Sequence, residues 1–193
     1  TLNHTLTCVK TCWFWGLVVL VRIALVGGTG GLGVGLALRL AKAGYEVLIG
    51  SRSKEKAEAV AENVRKTLGG GKVVGDVNEE VVAKADVIIL CIPFQYVTPV
   101  LKSIRGRLSK GKIVVSPVVP LATAIGGSPD ETVTPWQGSA ALLIKSLLPE
   151  GVSLVAAFHN VPAERLRNLG EPIDCDVFIC GDDPKSKAVV AKI

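Results

Sequence analysis

Residues 22–52 read RIALVGGTGGLGVGLALRLAKAGYEVLIGSR, and this stretch decides the fold. Its first five residues, RIALV, form an apolar run that ends at glycines, which predicts a strand. Residues 33–43 carry apolar side chains at helical spacing and precede Gly44, which predicts a helix with a glycine stop. Residues 45–49 form a second apolar run. The stretch therefore predicts a strand, a helix and a second strand, the unit from which parallel sheets are built.

A glycine motif joins the first strand to the helix. Gly28, Gly30 and Gly33 satisfy the pattern G-x-G-x-x-G. We expect Gly28 to permit the tight turn, Gly30 to let the backbone approach a pyrophosphate, and Gly33 to let helix and strand pack closely. The motif alone is weak evidence, so a glycine turn without a ligand is the alternative. Its position at a strand-to-helix junction favours dinucleotide binding.

The end of the second strand distinguishes NADP from NAD. NAD sites usually carry an acidic residue there, whereas this chain has Gly50, Ser51 and Arg52. A hydroxyl and a guanidinium suit a 2′-phosphate, because arginine can bind it through two N–H groups. Lys56 lies one helical turn past Arg52 and adds a second positive charge. This pattern predicts NADP; the alternative is that Arg52 and Lys56 are merely solvated residues at a helix start.

Strands and helices alternate along the rest of the chain. Predicted helices cover residues 54–68, 79–84, 96–108, 139–148 and 184–193, and predicted strands cover 86–92, 112–116, 153–158 and 176–180. Residues 72–75 are predicted as a short strand or a turn. Residues 121–135 are rich in glycine, proline and threonine, which is typical of a loop. The alternation predicts an α/β fold of Rossmann type, a doubly wound and mainly parallel sheet with helices on both faces.

The composition limits the classes of partner that we expect the protein to bind. The chain has 193 residues, 49% of them hydrophobic, so disorder is excluded. The net charge of +5 fits a small anionic ligand, and no block of Lys and Arg with interleaved aromatics appears, so we expect no nucleic-acid partner. The five cysteines are odd in number and match no zinc pattern. They predict free thiols in a reducing compartment, the cytoplasm.

The first twenty residues differ in character from the rest. The apolar run at residues 12–26 is shorter than the ~20 residues a membrane span needs, and Arg22 interrupts it, so we expect no membrane segment. Cleavage of a signal peptide there would destroy the first strand. The chain contains no methionine, and we interpret residues 1–20 as a non-native or upstream extension before a start at Val21. His4, Cys8 and Cys12 are explained by accidental spacing, so no metal site is predicted.

Motifs spread along residues 21–193 resemble one family. They are the run at 22–52, EKAE at 55–58, IPF at 92–94, KIVVSPVVP at 112–120, GSAA at 138–141, FHNVPAERLRNL at 158–169 and DCDVFICGDDPKSK at 174–187. Together they resemble the coenzyme F420-dependent NADP reductases. The resemblance implies reversible hydride transfer between a reduced 5-deazaflavin, coenzyme F420, and NADP. Because the cofactors carry the reactivity, no side chain is assigned as catalytic.

The resemblance also implies a set of cofactor-binding residues. They fall into five groups along the dinucleotide, from the pyrophosphate to the ring junction. Thr29, Gly30, Gly31 and Leu32 are expected at the pyrophosphate; Ser51, Arg52 and Lys56 at the 2′-phosphate; Phe94 and Thr98 on the adenosine or ribose side; Val119 and Leu121 beside the nicotinamide; His159 and Ala163 near the ring junction. For His159 two interpretations stay open, donation to a ring oxygen or satisfaction by backbone groups at a strand end.

The organisation predicted for the chain has three parts. Residues 1–20 are the extension, residues 21–120 the NADP-binding Rossmann domain, and residues 121–193 the continuation of the α/β domain toward a smaller C-terminal portion. The family chain continues past Ile193, and its tail is expected to complete the deazaflavin pocket and a homodimer contact. Asp182 and Asp183, which precede Pro184, are expected to cap a helix. Alternative functions are an imine- or ferric-type NADPH-dependent reductase and a non-catalytic NADPH sensor.

Overall fold

The computed structural model describes residues 21–193, and within them six strands form one sheet. The strands are β1 (Arg22–Val26), β2 (Glu46–Ser51), β3 (Val73–Val77), β4 (Val87–Leu90), β5 (Ile113–Ser116) and β6 (Ser153–Ala156). They lie in the order β3-β2-β1-β4-β5-β6, and every neighbouring pair is parallel. The predicted doubly wound Rossmann-type fold is therefore confirmed.

Helices cover both faces of the sheet. They are α1 (Gly31–Lys42), α2 (Lys54–Leu68), α3 (Asn78–Lys84), α4 (Val97–Ile104), α5 (Ala140–Leu147), α6 (Ala163–Arg167) and α7 (Pro184–Lys192). One buried cluster joins the sheet to α1, α2, α6 and α7, and a second joins it to α3, α4 and α5. Strands enclosed by two such layers are apolar on both sides, which explains why the strand sequences are continuous apolar runs.

Two sequence predictions about the C-terminal part need correction. Residues 176–180 do not form a strand; only Cys180 pairs, in an isolated antiparallel bridge with Ala156. Val177 and Ile179 pack on the core while their neighbours face solvent, so the alternation reflects packing without a ladder. The short helix α6 was not predicted, because the proline and charged residues around it obscure any apolar periodicity.

The strand order determines where in the sheet the ligand crevice lies. The chain winds one way from β1 to β3 and the other way from β4 to β6, so the order reverses between β1 and β4. In open α/β sheets, ligands bind at this reversal, beyond the carboxyl ends of the strands. The glycine motif follows β1 directly and therefore lies in the crevice.

Helix α6 is fastened to α1 by one arginine. Arg39 on α1 donates hydrogen bonds to four backbone carbonyls at and beyond the end of α6, those of Leu166 (3.0 Å), Arg165 (3.2 Å), Asn168 (2.6 Å) and Glu171 (2.9 Å). Carbonyls in the last turn of a helix have no partner within it. The guanidinium of Arg39 therefore satisfies these groups and holds the chain beyond β6 against α1.

Replacing Arg39 with alanine is expected to destabilise the protein by about 2 kcal/mol, because hydrogen bonds from a charged donor are lost. The melting temperature should fall by about 4–8 °C for a chain of this size. Arg107→Ala is the matched control, since Arg107 makes one exposed ion pair with Glu80 at 3.3 Å, and such pairs contribute about 0–1 kcal/mol. Equal melting temperatures for the two variants would contradict the role assigned to Arg39.

Candidate dinucleotide-binding site

The turn after β1 depends on two adjacent glycines for different reasons. Gly27 has φ of 68°, a conformation that glycine adopts without strain, and its N–H donates to Oδ1 of Asn78 at 3.1 Å. Gly28 lies in the same turn, where its N–H donates to the carbonyl of Leu25 at 3.0 Å, but it does not have a positive φ. A Cβ on Gly28 would lie 2.7 Å from the carbonyl oxygen of Leu25. Gly28 is therefore required by space and not by its backbone angle.

The two later glycines of the motif differ in the space around them: Gly33 is tightly packed and Gly30 is open. A Cβ on Gly33 would lie 2.4 Å from Cα and from the carbonyl oxygen of Gly28, so α1 packs directly on the turn. This is the close packing expected of Gly33. At Gly30 the nearest atom to such a Cβ is 3.9 Å away. The space beside Gly30 is open, as a backbone that receives a pyrophosphate requires.

The first turn of α1 is suited to an anion. No side chain caps the helix at Gly30, and its first turn contains no acidic residue. By contrast, Ser53, Ser139 and Asp183 cap α2, α5 and α7. Uncapped N–H groups and the positive end of the helix dipole attract phosphate. The structure thus brings Thr29, Gly31 and Leu32 to a cradle that fits a pyrophosphate.

Positive charge is available at the end of β2. Ser51 is buried and its Oγ accepts from the N–H of Ser53 at 3.3 Å, whereas Arg52 and Lys56 are exposed. Among residues 21–193, neither Arg52 nor Lys56 makes an ion pair. Lys54, between them in sequence, is paired with Asp76 at 3.9 Å and with Glu58. The cations at the predicted 2′-phosphate position are therefore uncompensated.

Asp76 stays ionised beside this site. The N–H of Val77 donates to its carboxylate at 3.0 Å, and this hydrogen bond, with Lys54 and Lys84 nearby, lowers the pKa of Asp76. Because the carboxylate binds Lys54 and Lys84, its charge is largely neutralised. Asp76 therefore does little to reduce the positive potential that Arg52 and Lys56 present to an anionic ligand.

Asn78 is a residue that the sequence analysis missed. It is buried at the first position of α3, and its side chain holds Gly27 across the end of β2. A Cβ on Gly50 would lie 2.6 Å from Oδ1 of Asn78, so Gly50 is also needed for this contact. The sequence signal that could have identified Asn78 is a single amide side chain directly after a strand. Asn78 thus holds the turn between β1 and α1 in place.

The carboxyl end of β4 forms the next wall of the crevice. Phe94 lies in a 3₁₀ turn (Phe94–Tyr96) and Thr98 in the first turn of α4, and both are half-buried. Both residues lie beyond the carboxyl end of β4, next to the crevice. Cys91 lies at the same end, and burial raises the pKa of its thiol to about 12. The Cys91 thiol therefore stays protonated and unreactive.

A separate cleft of 330 Å³ opens beyond the carboxyl ends of β5 and β6. Its walls are the turn after β5, the loop before α5, and His159. The lining residues are Val118, Val119, Pro120, Thr132, Val133, Thr134, Pro135, Gly138, Ser139, Ala140, Ala141 and His159. The loop is closed by hydrogen bonds from Ala122 N–H to the Glu131 carbonyl (2.9 Å) and from Val133 N–H to the Pro120 carbonyl (2.8 Å). The cleft is thus a formed, mainly apolar site.

The residues expected near the nicotinamide divide between two places. Val119 and His159 line this cleft, whereas Leu121 does not and is 39% exposed. Ala163 lies elsewhere, because its Cβ is 3.9 Å from a Cβ placed on Gly31 in the pyrophosphate cradle. The structure therefore brings His159 together with Val119 in the cleft, whereas Ala163 lies beside Gly31.

His159 follows a strained residue. Phe158 has φ of 68°, which is unusual for a bulky side chain, and its ring packs against the core beside α1 while His159 faces the cleft. Partial desolvation lowers the pKa of His159. The imidazole is therefore neutral near pH 7, with one nitrogen that donates and one that accepts.

The paired carboxylates at Asp182 and Asp183 have structural roles. Asp183 caps α7 by accepting from the N–H groups of Lys185 (3.3 Å) and Ser186 (3.0 Å), which confirms the predicted cap at this residue. Asp182 pairs with Lys145 on α5. Within residues 21–193, no group of three His, Cys, Asp or Glu side chains could hold a metal ion. His4, Cys8 and Cys12 lie outside the described residues.

Another open depression, of 540 Å³, lies over α2 and β3. It is lined by Glu55, Glu58 and Glu62, among other residues. These carboxylates would repel an anionic dinucleotide. This surface is therefore poorly suited to an anionic ligand.

The sheet order, the glycine turn and the uncapped helix define a dinucleotide-binding protein of the Rossmann class. A family profile described as coenzyme F420-dependent NADP oxidoreductase matches residues 22–120. The chain belongs to this family. None of the helices within residues 21–193 is long and apolar enough to cross a membrane.

Individual relatives agree with the family assignment. The F420-dependent NADP reductase of Methanocaldococcus jannaschii is 43% identical over 88% of this chain and 77% of its own length. The F420-dependent NADP reductase of Methanothermobacter thermautotrophicus is 40% identical over 91% of this chain and 77% of its own length. A crystal structure from Arthrobacter sp. FB24, of a protein with proposed F420-dependent NADP-reductase activity, matches with a TM-score of 0.71 and 27% identity over 88% of this chain and 78% of that one. These similarities do not favour an imine- or ferric-type reductase or a sensor.

Proposed function

We propose that this chain catalyses reversible hydride transfer between coenzyme F420 and NADP. The observation that carries the proposal is the presence of two sites at one edge of the sheet, a pyrophosphate cradle after β1 and a mainly apolar cleft after β5 and β6. Strands β1 and β5 are separated only by β4, so the sites are about 10 Å apart across the sheet. A dinucleotide bound to the cradle can extend its nicotinamide to the cleft.

The reaction needs two rings held in contact and little else. Reduced F420 supplies a hydride, with both electrons, to the nicotinamide of NADP⁺, and a proton is released. The chain binds the dinucleotide through the cradle and the 2′-phosphate group of residues, Ser51, Arg52 and Lys56. The apolar walls around Val119 give the reacting rings a surface to pack against, which orients them. No acid or base from the protein is required for this transfer.

The proposed roles of the other site residues follow from their positions. Phe94 and Thr98 line the adenosine or ribose side, and Leu121 lies at the rim of the cleft. His159, kept neutral by partial desolvation, donates an N–H to an oxygen of one of the two rings. Ala163 packs beside Gly31 and shapes the pyrophosphate cradle.

A direct test mixes the protein, expressed from its natural gene, with reduced F420 and NADP and follows deazaflavin absorbance. We expect oxidation of the deazaflavin with formation of NADPH. The same mixture with NAD should react far more slowly, because NAD lacks the 2′-phosphate that Arg52 and Lys56 are proposed to bind. Absence of exchange with NADP, in a protein shown to bind it, would refute the reductase function.

The assembly and location of the protein are also proposals. Trp136 is fully exposed and Phe178 is 77% exposed, which favours burial of these side chains in a homodimer. Cys91, Cys175 and Cys180 are free thiols, which fits a cytoplasmic protein. The absence of a Lys- and Arg-rich block with interleaved aromatics supports a small-molecule partner and no nucleic acid.

A further inference from the structure

Arg167, the last residue of α6, lies at the pyrophosphate cradle although no sequence motif singled it out. A Cβ placed on Gly31 would lie 3.7 Å from Nη2 of Arg167. Gly31 is the first residue of α1, where uncapped N–H groups face the proposed pyrophosphate. We propose that Arg167 binds the pyrophosphate of NADP(H), an inference that rests on the function proposed above.

The position of Arg167 is produced by close packing of α6 on α1. A Cβ on Gly35 would lie 2.5 Å from Cβ of Leu166, so a side chain there would push α6 away. Ala163 and Arg167 are four residues apart and therefore share one face of α6. Both lie within 4 Å of the position of a Cβ on Gly31. This face of α6 is thus turned toward the start of α1.

The same packing is held by hydrogen bonds further along α1. Arg39 binds the carbonyls of Leu166 and Asn168, on either side of Arg167 in sequence. Nζ of Lys42 donates to the carbonyl of Leu169 at 2.9 Å. Hydrogen bonds from α1 therefore hold the backbone on both sides of Arg167. They fix the position from which its side chain reaches the cradle.

An anion at the start of α1 would compensate the charge of Arg167. A cation beside the N-terminus of a helix is repelled by the helix dipole. Arg167 is exposed and makes no ion pair with any acidic residue among residues 21–193. A bound pyrophosphate would lie between the guanidinium and the N–H groups of α1 and attract both. Arginine is well suited to this role, because its planar fork can bind phosphate oxygens through two N–H groups.

The test compares ligands that differ in their phosphates. Calorimetry would give Kd for NADPH, NADH and 2′-AMP with the unsubstituted protein and with Arg167→Gln. We expect Arg167→Gln to raise Kd about fivefold to tenfold for NADPH and for NADH, which share the pyrophosphate. Kd for 2′-AMP, which has no pyrophosphate, should stay unchanged. Arg167→Lys keeps the charge but not the two-pronged geometry, so it should recover only part of the affinity.

The controls separate this inference from the proposed function. Lys102→Gln on α4 removes one exposed positive charge elsewhere and should leave all three Kd values unchanged. Unchanged NADPH and NADH binding in Arg167→Gln, or an equal loss for 2′-AMP, would overturn the role of Arg167 and leave the hydride-transfer function intact. Failure of the unsubstituted protein to bind NADPH would overturn both.

Discussion

Replacing Gly33 with alanine is expected to raise Kd for NADPH and NADH by about 100-fold and to destabilise the fold by about 3 kcal/mol. The added Cβ would lie 2.4 Å from two backbone atoms of Gly28, and backbone cannot move aside as a flexible side chain can. Either α1 or the glycine turn must shift, which removes N–H groups from the pyrophosphate. Calorimetry with both nucleotides and thermal unfolding would measure the two effects.

Two glycine variants provide matched controls. Gly30→Ala meets no atom closer than 3.9 Å, so it should retain full stability yet weaken nucleotide binding, because the new methyl group occupies the space for the pyrophosphate. Gly106→Ala, in an open position distant in sequence from the motif, should change neither property. If Gly33→Ala were as stable as Gly106→Ala and bound NADPH normally, the close packing of α1 on the turn would not matter for the site.

Replacing Arg52 with alanine is expected to weaken NADPH binding by about 1.5–3 kcal/mol, the contribution of hydrogen bonds to a charged group. NADH binding should hardly change, because NADH has a ribose hydroxyl where NADPH has the 2′-phosphate. The physical reason is that Arg52 is exposed and, within the described residues, has no carboxylate partner to compensate its charge. Steady-state kinetics or calorimetry with both nucleotides would measure the selectivity.

This result differs from the one expected for Arg167, which binds a group that the two nucleotides share. Arg52→Ala should also weaken 2′-AMP, whereas Arg167→Gln should not. Arg107→Ala, which removes an arginine from the exposed pair with Glu80, should leave NADPH affinity unchanged. Equal losses of NADPH and NADH in Arg52→Ala would show that the 2′-phosphate has been assigned to the wrong residue.

The strand, helix and strand encoded by residues 22–52 were predictable because their signals are local. Apolar runs and helical spacing indicate which residues are buried, and the glycine pattern indicates a turn. The fold class and the cradle can therefore be predicted from residues that are close in sequence. The predicted bounds of α2, Lys54–Leu68, agree with the structure, in which Ser53 caps the start of the helix and Gly69 ends it in a left-handed conformation. Local capping chemistry needs no tertiary information.

The remaining features depend on contacts between distant parts of the chain. Gly27, and not Gly28, has the positive φ, and its N–H donates to the side chain of Asn78, 51 residues later. Residues 176–180 resemble a strand in sequence, but only one residue pairs, since their apolar side chains pack on the core without a ladder.

The sequence by itself therefore determined the α/β class, the glycine cradle and the preference for a phosphorylated dinucleotide, since each depends on residue types within one turn or strand. Only the tertiary structure decided that His159 and Ala163 lie in different places and that α6 brings Arg167 to the start of α1. The physical reason is that Gly35 and Arg39 set the approach of α6. That approach joins segments more than 120 residues apart in the chain.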